Sequence, residues 1–346
     1  MNTLTPVPHL EFNNSIIEHY NVEENAGRLK LSNRMLQAFD LVTFANLGYP
    51  HRISDIQELW RFHDVMQETR FVKILNQRFS QGMPKHLFDL FKDLIFNINA
   101  FGHALPKPSN HILNAGQNSA LQSMFHKLIL DSLITSFDLK NCHILELGPG
   151  CGYHVLANAL SGRKMTLIDS SQAFSIYQNT LFEFCAQANN SKYVLPERIH
   201  WFDAADSYKE FKGINLVVAN HMLGEMHNFA LRTIVAKLSL MWRESKEQAI
   251  LVAESLGGGS IQANEQVIRT FQEFGFNAYH FEDIFVFVFT QGEPLDFTAK
   301  VEQMRQLMSN TTSDVISTNE VLQHVLYHYD VKTADETFCE LIRITV

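Results

Sequence analysis

The chain has 346 residues, 46% hydrophobic and 19% charged, with a formal net charge of -9. That composition excludes a collagen-like or disordered chain, and the acidic balance argues against nucleic acid as a partner, since backbone phosphates require a basic stripe. At roughly 100–200 residues per domain, two modules are expected.

The opening, MNTLTPVPHLEFNNS, has no basic stretch followed by an apolar one, so no secretory signal is expected. A helix is expected from Ser54, capped by Ser54 with Gln57 three residues on, and Ile56, Leu59, Trp60, Phe62 and His63 give it a mixed face. A clearer helix follows Pro84, where Leu87, Leu90, Phe91, Leu94 and Ile95 recur at helical spacing; Pro84 suits its first turn. Pro106-Lys107-Pro108-Ser109-Asn110 cannot continue a helix. The boundary is placed there, between a helical N-terminal domain, 1–110, and a second domain, 111–346.

Beyond a helix at Ala120–Ile134, short apolar runs alternate with helical stretches: His143–Leu147, Met165–Ile168, Ile199–Phe202, Ile214–Ala219, Ala249–Ala253 and Phe285–Phe289. This alternation implies a parallel sheet with crossover helices. The most apolar run, Ile284–Phe289, is far short of the roughly 20 residues that span a bilayer, so no membrane partner is expected. Val301–Met308 and Val321–Tyr329 read as helices, and Phe338–Val346 as a last strand. The 27 Phe read as an aromatic-rich core. The four cysteines, Cys142, Cys151, Cys185 and Cys339, form no CxxC pair, which argues against a zinc cage and a disulfide framework and fits the cytoplasm. His324 and His328 are four apart, but no third ligand stands nearby in sequence, so no metal is expected. No heptad pattern specifies an oligomer, which leaves a homo-oligomer open.

The strongest signal is Glu146-Leu147-Gly148-Pro149-Gly150-Cys151-Gly152, where an apolar strand ends and a helix should begin. Gly148, Gly150 and Gly152 permit positive φ and close approach of a ligand, and the helix N-terminus offers free N–H groups. Asp169, 17 residues beyond Gly152, ends the next strand, where a carboxylate can accept both hydroxyls of a ribose or cap the following helix with Ser170. A nicotinamide or flavin fold would place Gly or Ala at position 153, but Tyr153 is there, and Glu146 would repel a pyrophosphate.

With these residues the sequence resembles the class I S-adenosylmethionine (SAM)-dependent methyltransferases, over roughly Asn114 to Phe289. The resemblance implies a Rossmann-like αβα sandwich with a mainly parallel seven-stranded sheet behind the helical N-terminal domain, which would cap the substrate. It further implies SAM as cofactor, with the glycine loop and Glu146 at the methionine part and Asp169 and Ser170 at the ribose. Asp203 and Ala204 would meet the adenine, Asp206 being an alternative to Asp203, and Asn220 would lie beside the methyl. Gln117 and Asn118 belong to a segment that would fold over the cofactor. Because a hydroxyl acceptor must lose a proton, His221, Glu225 and His227, after the fourth strand, are the candidate catalytic residues. If the stretch from Leu223 is helical, Glu225 can orient His221 from four residues away. Glu254 and the Gly257-Gly258-Gly259 run could line an acceptor pocket or form a lid. The expected reaction is methyl transfer to an oxygen or nitrogen of a small-molecule metabolite. The alternatives are a protein methyltransferase and a non-catalytic cofactor-binding scaffold.

Overall fold

The structure, a computed structural model, describes residues 10, 14–26, 52–65, 71–106, 117–140, 142–169, 171–188, 192–199, 211–245, 249–257, 261–291, 293, 295–309 and 314–327. Its centre is a seven-stranded sheet. The strands are β2 (Ile144–Leu147), β3 (Met165–Ile168), β4 (Glu197–Arg198), β5 (Leu216–Val218), β6 (Ala249–Glu254), β7 (Phe276–Phe281) and β8 (Ile284–Phe289), in the order β4-β3-β2-β5-β6-β8-β7. The first five run parallel, and β8 pairs antiparallel with both β6 and β7. The mainly parallel seven-stranded αβα sandwich expected from the sequence is thus observed. Strand order reverses between β2 and β5, so a crevice opens beyond their C-terminal ends, where doubly wound sheets bind ligands.

The side-chain period of two divides the core. Leu145, Leu147, Val217 and Leu251 face α8 (Asn228–Ser245) and α9 (Ile261–Glu273). Ile144, Val218, Ile250 and Val252 face the opposite layer, formed by α5 (Gln117–Phe137), α6 (Tyr153–Leu160) and α7 (Gln172–Ala188). Outside that layer lie α1 (Asn14–Asn25), α2 (Ile56–Val65), α3 (Phe71–Arg78) and α4 (Lys85–Ala104), with α4 against α5, α6 and α7. These helices share one hydrophobic core with the sheet face beneath them.

Buried polar pairs fix this outer layer. The Gln172 side chain accepts from Ile53 N–H and donates to Ile53 C=O, both at 2.9 Å. His63 Nδ1 meets the Tyr177 hydroxyl at 2.9 Å, and Tyr177 meets Tyr153 at 3.0 Å. The α2 cap falls one residue later than expected. Asp55 Oδ1 accepts from the N–H groups of Gln57 and Glu58, while Glu58, and not Gln57, reaches back to Ser54. Pro84 precedes α4 directly, and Leu87, Phe91, Leu94 and Ile95 are its buried stripe.

Two features escape the sequence reading. β7 forms the sheet edge, and its side chains are mostly half-exposed, so the apolar signal is weak. A two-stranded ribbon joins β1 (Met83–Pro84) to β9 (Val315–Ile316), flanked by α10 (Thr298–Ser309) and α11 (Thr318–Tyr327), and ties the C-terminal part back to the outer helices. His324 packs edge-on against Phe88 and Phe91. His328, Cys339, the strand expected at 338–346 and most of the 106–110 connection lie outside the described residues. No helix among those described is long and apolar enough to cross a membrane.

Candidate active site

The loop after β2 has the backbone that its glycines anticipate. Gly148, Gly150 and Gly152 have φ of +63°, +57° and +77°, which L side chains adopt only under strain. Their roles differ. A Cβ on Gly152 would lie 2.9 Å from the Phe182 ring, and one on Gly148 would lie 3.3 Å from Met222. A Cβ on Gly150 would meet nothing within 4 Å, because that glycine faces open space. Gln178 holds the loop by donating to Gly150 C=O at 2.6 Å.

Glu146, Asn220 and Glu254 share strand parity and approach the same face, beneath α5. Glu146 is buried and accepts from His154 Nδ1 at 2.8 Å, while Asn158 Nδ2 lies 3.0 Å from His154 Nε2. This places the His154 proton on Nδ1. Asn220 Oδ1 accepts from Glu254 N–H at 2.8 Å, and its Nδ2 is buried without a hydrogen-bond partner among the described residues. The Glu254 side chain is fully buried, yet it is the hub of the site. Its Oε2 lies 2.6 Å from His126 Nε2 and 3.3 Å from His221 Nε2, and it accepts from Gln122. Its Oε1 accepts from Arg78, whose guanidinium also binds Asp283 Oδ2 at 2.6 Å. Burial alone would raise the Glu254 pKa, but hydrogen bonds from His126 and His221 hold it well below the carboxylate range. Burial pushes His126 down, against the pull of Glu254, so its imidazole is uncharged near neutrality. Cys151 is pushed up to about 12 by burial and stays a thiol.

His221 stands at φ +57°, and its N–H is shared by the carbonyls of Glu254 and Ser255, each at 3.1 Å. The stretch from Leu223 is a turn, not a helix. An added Cβ at Gly224 would lie 2.5 Å from Gly257 C=O, and Gly224 N–H bonds Leu256 C=O, so the loops after β5 and β6 meet backbone to backbone. The partner that orients His221 is therefore Glu254 rather than Glu225. His227 is exposed, and its Nδ1 accepts from Phe229 N–H at the start of α8. Gly257 is part of the backbone contact, with φ +77°; Gly258 and Gly259 lie outside the described residues.

A cleft of about 270 Å³ joins these parts. Among the sequence candidates, Glu146, Gly148, Gly150, Asn220 and His221 line it; Gly152, Asp169, Glu225 and His227 do not. Asp169 follows β3 and accepts from Ser171 N–H at 2.9 Å and from Gln178 Nε2 at 3.2 Å, so it supports the loop from behind. Ser170, Asp203, Ala204, Asp206 and the side chains of Gln117 and Asn118 lie outside the described residues. The sequence reading missed Gln122, His126, His154 and Arg78. Gln122 and His126 lie one turn apart on α5, a spacing that carries no signal until the sheet places Glu254 beneath it.

Fold and loop together define a Rossmann-like α/β chain with a ligand cleft at its topological switch point. No family model matches the sequence, and no curated protein matches it. Similar solved structures include a TehB-like SAM-dependent methyltransferase from Corynebacterium glutamicum, at 14% identity over 46% of this chain and 85% of that one, with a TM-score of 0.35. Another is magnesium protoporphyrin IX methyltransferase from Synechocystis with bound SAM, at 12% identity, 58% and 97% coverage and a TM-score of 0.37. A third is the glycopeptide N-methyltransferase MtfA complexed with sinefungin, at 14% identity, 46% and 92% coverage and a TM-score of 0.34.

Proposed function

We propose that this protein binds SAM in the cleft and transfers its methyl group to an oxygen or nitrogen of a small molecule. The observation that carries this reading is Gly150, a left-handed glycine facing open space beside the buried Glu146 carboxylate, at the switch point of the sheet. The residues present fit the cofactor. Glu146 offers a carboxylate to a cationic ligand, the loop permits close approach, and Asn220 Nδ2 is a buried donor without a partner among the described residues. When bound, SAM supplies a methyl group already activated on a sulfonium sulfur.

The chain's own task is then to align the acceptor, exclude water and dispose of a proton. α5 contributes Gln122 and His126 to the cleft wall, and Arg78 on α3 pins Glu254 from the outer layer, so the outer helices support the site. A small acceptor suits a cleft of about 270 Å³. The acceptor's proton leaves through the cluster of His126, His221 and Glu254. Calorimetric titration of the purified protein with SAM, S-adenosylhomocysteine and NADH tests the cofactor. Micromolar binding of both sulfur ligands without a response to NADH is expected, and silence from both overturns the reading.

A further inference from the structure

We propose that His126, His221 and Glu254 form a binding site for a divalent first-row metal ion of the zinc class, at the acceptor end of the cleft. The three residues come from three elements: α5, the loop after β5 and the end of β6. One donor atom from each, a ring nitrogen of either histidine and a carboxylate oxygen, lies within 4.8 Å of the other two. A tetrahedral ion about 2.1 Å from each ligand separates its donor atoms by about 3.4 Å. His221 Nε2 and Glu254 Oε2 already stand 3.3 Å apart, and the 2.6 Å between His126 Nε2 and Glu254 Oε2 has to open by about 0.8 Å to reach that spacing. Two imidazoles and one carboxylate with a position left open is the donor set of catalytic zinc and of non-haem iron.

As a hydrogen-bond network alone, the cluster is over-subscribed. Gln122 Nε2, His126 Nε2 and His221 Nε2 all converge on Glu254 Oε2, which has two lone pairs. Gln122 Nε2 also lies 3.2 Å from His126 Nε2, and both must be donors if each serves the carboxylate. A cation accepts the nitrogen and oxygen lone pairs and removes the conflict. Arg78 takes the other carboxylate oxygen and fixes Glu254 with Oε2 towards the imidazoles. The charges agree. One guanidinium, Arg78, bonds two carboxylates, Glu254 and Asp283, and a cation at Glu254 Oε2 brings a second positive charge to the pair.

The site deepens the proposed function. An acceptor hydroxyl bound at the open position is acidified as a bound water is. Its proton passes to solvent past His221, which is 46% exposed. The oxygen then forms its bond to the methyl carbon as the carbon–sulfur bond breaks.

The test uses the ion alone, so its failure is distinct from failure of the SAM reading. The 346-residue chain, stripped with chelator, is titrated with Zn²⁺ by calorimetry and with Co²⁺ by visible absorption. One ion per chain with micromolar or tighter affinity is expected, together with the absorption bands of low-coordinate Co²⁺. His221→Ala, at an exposed position, should weaken Zn²⁺ at least tenfold and abolish those bands, whereas His227→Ala should leave both unchanged. Absence of stoichiometric binding in the parent protein, or equal affinity in His221→Ala and the parent, overturns the site.

Discussion

Gly150 and Gly152 share a positive φ but differ in what a side chain would do. At Gly150 a side chain enters open space, so Gly150→Arg should leave the fold intact, at a strain of about 1–2 kcal/mol for an L residue in the left-handed region. It should abolish SAM binding in the same titration. Asp169→Ala should lower SAM affinity at least tenfold while the protein melts within a few degrees of the parent. Gln178→Ala separates the causes: if it loses as much affinity, Asp169 acts through the loop rather than on the ligand. His221→Ala should reduce kcat more than it raises KM in an assay of S-adenosylhomocysteine release. At this scale the glycines were legible because their chemistry is local, a backbone that only they adopt freely. Glu254 was named in sequence only as a pocket candidate, because a carboxylate ending a strand is ordinary until its neighbours are known.

Elements explain why the expected His221–Glu225 pair does not form. The turn packs its backbone against the β6 loop, with Gly224 N–H bonding Leu256 C=O, and Gly224 sits too close to Gly257 to carry a side chain. The same close approach turns His221 back towards Glu254. Arg78 shows how an outer helix enters the site. Arg78→Ala leaves a buried carboxylate without its guanidinium, and breaking such pairs costs about 3 kcal/mol. Since the Arg78 side chain is 21% exposed, about 2 kcal/mol is expected from urea unfolding. The strands of the parallel core were legible because burial on both faces makes them largely apolar, as in Leu216–Val218. β7 was not, since an edge strand that is half-exposed keeps polar residues between its aromatics.

For the whole molecule, acid sensitivity follows from carboxylates held below their ordinary pKa. Burial would raise Asp131, but Lys127 and Arg163, at 3.0 and 2.6 Å, bring it below its ordinary 3.8. A carboxylate depressed in the folded state stabilises it above the unfolded pKa, and the contribution is lost as pH falls through the folded value. Glu254 acts in the same direction. Urea midpoints should therefore begin to fall below about pH 6.5, where unfolding lets the buried His126 take up a proton, and fall steeply below about pH 4 as these carboxylates protonate. Asp131→Asn should be less stable at neutrality and show a shallower fall. The sequence by itself determined the class of fold, the ligand loop and the helical character of the N-terminal part, because hydrophobic period, glycine φ and proline placement act over a few residues. Only the tertiary structure decided that the outer helices share a core with the sheet. The same holds for the meeting of His126, His221, Glu254 and Arg78 at one carboxylate. These residues are spread from position 78 to 254, and nothing in local spacing encodes a contact that strand order, loop packing and helix placement create together.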